Sequence, residues 1–151
     1  MYGRRPLTKL EAGLFAGCVG IFLTVFAHYM LGYMEIAERV AMQATLINTS
    51  GAINVRLAQA FLGQQPGPKD VTARNPFDVA GVAPPNFARN ADLSTLGSGQ
   101  WAYDSEHAEL VYVPRLRSGL RTEGDDQALR FRLVREGAAY SFRASRPFTW
   151  E

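Results

Sequence analysis

"AGLFAGCVGIFLTVFAHYMLGYM", residues 12–34, carries no formally charged side chain over twenty-three positions. As an α-helix at about 1.5 Å per residue it reaches roughly 35 Å, enough to cross a hydrocarbon core of about 30 Å with some tilt. A secretory signal has an apolar region of only about 7–15 residues followed by a small-x-small cleavage site. This run is longer and passes into "HYMLGYMEIAERV", where no such site stands out. The segment therefore reads as a retained membrane span. Upstream, "RRPLTK" places Arg4, Arg5 and Lys9 where the positive-inside rule puts cytoplasmic anchors. The same letters fit a twin-arginine export tag, but such tags precede a cleavable, weakly hydrophobic stretch and carry folded cofactor proteins, and neither feature is present. With the N-terminus in the cytoplasm of a bacterium, everything after Glu35 lies in the periplasm. Tyr29 and Tyr33 sit at the level of an outer aromatic belt, with His28 about one turn inside.

The whole chain has 151 residues, room for about one domain besides the anchor. Lys+Arg number 16 against Asp+Glu 14, so charge gives no global reason to expect a nucleic acid partner. The single cysteine, Cys18, lies in the span and allows no intramolecular disulfide; two histidines do not make a zinc site. No cofactor or metal is expected.

The head of the span carries more information. Thr8 and Glu11 form T-x-x-E, a capping box in which each side chain answers a backbone N–H of the other. Gly13 and Gly17, with Ala16 and Gly20, form two small-x-x-x-small pairs that permit close helix–helix approach. "LTKLEAGLFAGCVGIFL", residues 7–23, resembles the N-terminus of type IV pilins and type II secretion pseudopilins. The resemblance implies Leu7 as first mature residue, Thr8 as second and Glu11 as the fifth-position glutamate. In that family this glutamate meets the free N-terminal amine of a neighbour and sets register. Pro6 stands where the family's peptidase finds glycine. If proline blocks cleavage, the implied protein is pilin-shaped but uncleaved, beside the assembly machine and not in the fibre.

Beyond the span, residues 35–62 continue as an amphipathic helix, with Ile36, Val40, Gln43, Ile47, Asn54, Leu57 and Phe61 as its stripe and Met42, Leu46 and Ile53 broadening it. Gly51 is a candidate bend and Gly63 the stop. Residues 63–100 are Pro-, Gly- and Asn-rich and read as loop, pinned by Phe77, Val79 and Phe87. From 101 to 151 the period becomes two: "QWAYD" and "ELVYVP" joined by "SEHA", then "ALRFRLVR" and "AAYSFRA" around Glu136-Gly137. Leu129, Phe131 and Leu133 share one face and need a cover, which the 35–62 stripe supplies. The expected fold is α+β: residues 1–11 a basic leader, 12–34 a span, 35–62 its continuation, packed on a four-stranded antiparallel sheet. That is the outline of a pilin.

Arg130, Arg132 and Arg143 line one sheet face, which an anion or DNA would suit. From Trp101 onward, however, eight Arg face eight Asp/Glu, which favours a solvated, edge-protecting surface. Asp125-Asp126 lacks the spaced oxygens of a calcium loop. Ser105 and His107, near Asp104, are triad residue types crowded into one turn. No nucleotide loop, metal cluster or nucleophile elbow is present, so an enzyme is not expected. The expectation is a structural or accessory component of a type IV pilus or type II secretion machine, whose partners are other pilin-like or inner-membrane assembly subunits. The alternatives are an unrelated single-pass protein with a periplasmic binding domain, and a twin-arginine-exported soluble protein.

Overall fold

The computed structural model describes residues 8–63, 71–89, 91–123 and 128–150. Its first element, α1, runs unbroken through Gly51 from Lys9 to Phe61, 53 residues and about 80 Å. Thr8 caps it: the Glu11 N–H donates to Thr8 Oγ1 at 3.3 Å, and the Thr8 N–H donates to Glu11 Oε2 at 2.8 Å. Hydroxyls inside the helix return to its own carbonyls, Thr24 to Gly20 and Thr49 to Thr45, so neither breaks it. It ends at Leu62, with Gly63 taking the left-handed φ of +71° that stops a helix. One helix in the described chain is thus long and apolar enough to cross a membrane, and it lies near the N-terminus.

The connection to the sheet contains a short helix, α2 (Pro76–Ala80), where a bare loop was expected. Asn75 accepts from the Phe77 N–H at its start, proline occupies the first turn, and Gly81 at φ +70° ends it. Five residues are too short for periodicity to register. The anchoring is as expected: Phe77 and Val79 are buried, and Phe87 packs on the same core.

Six strands follow: β1 (Gln100–Asp104), β2 (Glu109–Val113), β3 (Leu120–Thr122), β4 (Leu129–Glu136), β5 (Ala139–Ala144) and β6 (Phe148–Trp150). The main sheet has the order β1-β2-β4-β5 and is antiparallel throughout, with Trp101 opposite Tyr112, Leu110 opposite Phe131 and Leu133 opposite Phe142. These are the four strands read from alternation, in the expected hairpins. β3 and β6 form a separate antiparallel pair. At three residues each they are too short for alternation to mark them, and they escaped the sequence reading.

The architecture is α+β and pilin-like: one long helix on a small antiparallel sheet. Of the expected stripe, Met42, Leu46, Ile53, Asn54 and Leu57 turn to the sheet side and the other members do not. Met42 and Leu46 enter a core with Trp101, Leu110, Tyr112 and Phe131; Ile53 joins Val71, Val79 and Leu133. Glu35 and Thr49 share that buried side, whereas Ile36, Val40, Gln43, Ile47 and Phe61 are exposed. Residues 35–62 carry two apolar stripes roughly a third of a turn apart. Polar Glu35 and Thr49 disguise the one that packs.

Each edge of the sheet is covered at one residue. At β5, the Asn54 side chain acts as a missing strand: its Nδ2 donates to the Tyr140 carbonyl at 3.0 Å and its Oδ1 accepts from the Tyr140 N–H at 2.8 Å. At β1, the segment around Phe87 pairs with Trp101 through two backbone bonds, 3.0 and 2.7 Å.

Candidate functional site

The exposed side of α1 is the most extended apolar feature of the molecule. Phe22, Phe26, Tyr29, Tyr33, Ile36, Val40, Ala44, Ile47, Gly51 and Val55 follow at steps of three or four, and all are exposed. Such spacing keeps one helix face. The first members lie in the apolar run of residues 12–34, which is long and apolar enough to cross a membrane, and the last ones about six turns beyond it. Ile47 is 68% exposed.

Near the N-terminal end of α1, Glu11 closes the capping box and also accepts from the Thr8 hydroxyl at 2.9 Å. Lys9 is the first helical residue. Gly13, Ala16, Gly17 and Gly20 are exposed, and a Cβ added at any of the three glycines would touch nothing. That side is open to a neighbour. Arg4, Arg5 and Leu7 lie outside the described residues.

Just past the apolar run of α1, two glutamates bind the loops of the sheet domain. The Glu35 carboxylate, 6% exposed, accepts from Gly119 N and from Trp150 Nε1, both at 2.8 Å, and from the Ser118 hydroxyl. Glu38 accepts from the Tyr112 hydroxyl (2.7 Å), Arg115 N (2.7 Å) and Leu116 N (3.0 Å). Arg39 donates to the Trp150 carbonyl. Burial opposes ionisation of Glu35, but its three donors and the nearby Arg39 charge outweigh it and hold the carboxyl below its usual range. Burial, then the Glu38 bond and charge, push the Tyr112 phenol upward. The sequence reading passed over this joint, because acids just after a span look like ordinary solvation. Only the loop N–H groups that answer them reveal the role.

Two clefts flank the same helix. One, of about 560 Å³, lies between residues 34–41 and the 114–116 segment; another, of about 370 Å³, lies between Thr45, Asn48, Ala52 and the Val82–Pro85 turn.

On the outer sheet face the three arginines are brought together, and each meets a carboxylate. Arg132 lies across from Glu109 and bonds it at 2.9 Å; Arg130 reaches Asp104 at 3.1 Å; Arg143 pairs with Glu136 at 2.6 Å. Asp104 also takes His107 Nδ1 at 2.9 Å and the backbone N–H groups of Glu106 and His107. Burial of Asp104 is outweighed by these bonds and by Arg130, so its carboxyl is held low. His107 is thus oriented by Asp104 in the turn after β1. Asp125 and Asp126 lie outside the described residues, and among the described residues no group of three His, Cys, Asp or Glu could hold a metal ion.

Set against known family models, curated proteins and solved structures, the chain matches none of them.

Proposed function

We propose that the chain is a pilin-like, single-pass protein of the bacterial inner membrane, N-terminus cytoplasmic and sheet domain periplasmic. It acts by association, as a structural or accessory component of a type IV pilus or type II secretion assembly, and not as an enzyme. The observation that carries the reading is the apolar face from Phe22 to Val55, which the chain's own sheet leaves open. A single-pass anchor needs apolar surface only within the bilayer. A face that persists about 30 Å into water calls for a neighbouring helix that leaves the membrane alongside it. The likeness of residues 7–23 to pilin N-termini supports the same reading, with Glu11 and the small-residue side of the span at the contact.

A photo-crosslinking residue at Ile47 tests it in intact membranes. A discrete adduct with another membrane subunit is expected from Ile47 and none from Arg143, on the outer sheet face. Equal labelling from both positions, or none, overturns the proposal. N-terminal sequencing then separates the two roles: Leu7 as first residue marks a filament subunit and Met1 an uncleaved accessory protein. A start beyond residue 30 removes the membrane anchor and the proposal with it.

A further inference from the structure

The 560 Å³ cleft at the membrane exit is of a size that holds a small molecule. Its helix wall is apolar: Met34, Ala37 and Ala41. Its polar groups are nearly all engaged within the protein. Both oxygens of Glu38 are taken by the donors described above, Tyr112 spends its proton on Glu38, and Asn86 Nδ2 donates to the Gly99 carbonyl.

The exception is the Arg115 guanidinium. It is exposed on the rim and, unlike Arg130, Arg132 and Arg143, has no carboxylate or carbonyl partner among the described residues. Its stem lies against Gly99, at φ +75°, where any Cβ would overlap Cγ, Cδ and Nε. A glycine that clears space for an arginine fixes where the charge sits.

The height of the cleft narrows the choice of ligand. Met34 closes the apolar run, and Ala41 lies seven residues further, about 10 Å along the axis. Headgroups add about 5–8 Å to each side of the hydrocarbon core. The cleft therefore opens at headgroup depth, apolar on its helix wall and cationic at its rim.

We infer that this cleft binds an anionic phospholipid of the surrounding bilayer, its phosphate on Arg115 and its glycerol and upper acyl carbons against Met34, Ala37 and Ala41. The inference rests on residues 12–34 spanning the membrane. It does not rest on the pilin-like role, because no residue of the Phe22–Val55 face lines the cleft.

Native mass spectrometry of the full-length protein in detergent, titrated with phosphatidylglycerol or phosphatidylcholine of matched chain length, tests it. One phosphatidylglycerol per chain is expected, held at least about tenfold more tightly than phosphatidylcholine. Arg115→Ala should bring the two lipids level, and Arg115→Lys should restore part of the preference. Ala41→Phe, which fills the cleft and leaves the charge, should weaken both. Circular dichroism of each variant confirms that the fold is retained, and Arg115→Lys keeps the test decisive should Arg115→Ala misfold. Equal retention of the two lipids by the wild type, an unchanged preference in Arg115→Ala, or displacement by millimolar inorganic phosphate would each overturn the assignment. So would a second copy of the chain in the cleft, seen as a dimer that Ala41→Phe abolishes.

Discussion

At the scale of single residues, the joint between α1 and the sheet-domain loops depends on Glu35. Removing its carboxylate leaves the Trp150 Nε1–H, the Gly119 N–H and the Ser118 hydroxyl without their acceptor. A buried donor left unsatisfied costs about 1–3 kcal/mol. Glu35→Ala should therefore destabilise the outer domain by about 3 kcal/mol or more, read as a lowered denaturant midpoint with unchanged slope. A loss under about 1 kcal/mol would show that the joint is ornamental. Tyr103 is the opposite case. Its hydroxyl is buried with no hydrogen-bond partner among the described residues, and burial together with the Asp104 charge pushes its ionisation upward. Tyr103→Phe deletes an orphaned polar atom and keeps the ring, so stability should rise by about 1 kcal/mol. A fall of similar size would mean that the hydroxyl has a partner after all.

At the scale of elements, α1 has one face packed on the sheet and another that the sheet leaves open, proposed above as the partner face, and substitutions should separate them. Met42→Ala opens the core beside Trp101 and should cost about 2–5 kcal/mol. Ile47→Asn removes no internal contact and should move stability by less than about 0.5 kcal/mol, yet abolish the partner adduct. If the two substitutions cost the same, the assignment of faces is wrong. How far the sequence disclosed this arrangement varies by element, for identifiable reasons. The span, the capping box, Gly63 and all four main strands are legible because each has its own local signature: absence of charge, T-x-x-E, a left-handed glycine, period two. The packing face of α1 is not, because Ile36–Val40–Ile47 and Met42–Leu46–Ile53 have equal claims by periodicity. The tie is broken by Glu35 and Thr49, whose polarity argues for the wrong side until their acceptors and donors are known. The charged sheet face was legible as a balance of charges, though not as the pairing of Arg130, Arg132 and Arg143 with Asp104, Glu109 and Glu136. That pairing needs strand register. The Glu35–Glu38 joint and the cleft needed contacts more than 70 residues apart in sequence, which no local pattern carries.

For the molecule as a whole, α1 is tied to the sheet domain at two heights, by Glu35, Glu38 and Arg39 just past its apolar run and by Asn54 at the β5 edge. A domain held at two points along one rod moves with the rod, so tilt of the helix is passed to the sheet domain. The lower tie depends on an ionised carboxylate, which makes the whole assembly sensitive to acid. Glu35 and Asp104 both have folded-state pKa values below their ordinary 4.5 and 3.8. The unfolded chain therefore binds more protons than the folded one as pH drops through this range, and stability falls with it. The contribution of both groups is complete above about pH 5 and is lost progressively below 4.5 and 3.8 as each folded-state value is passed. Chemical denaturation between pH 3 and 7 should give a plateau followed by a steep acid limb. Glu35→Gln, which has no charge to lose, should lower the plateau and flatten that limb, while Asp104→Asn should spare its upper part. A wild-type limb that begins near pH 6, or a Glu35→Gln curve parallel to wild type, would mean that the acid sensitivity arises elsewhere and that the lower tie is not what holds the domain over its anchor.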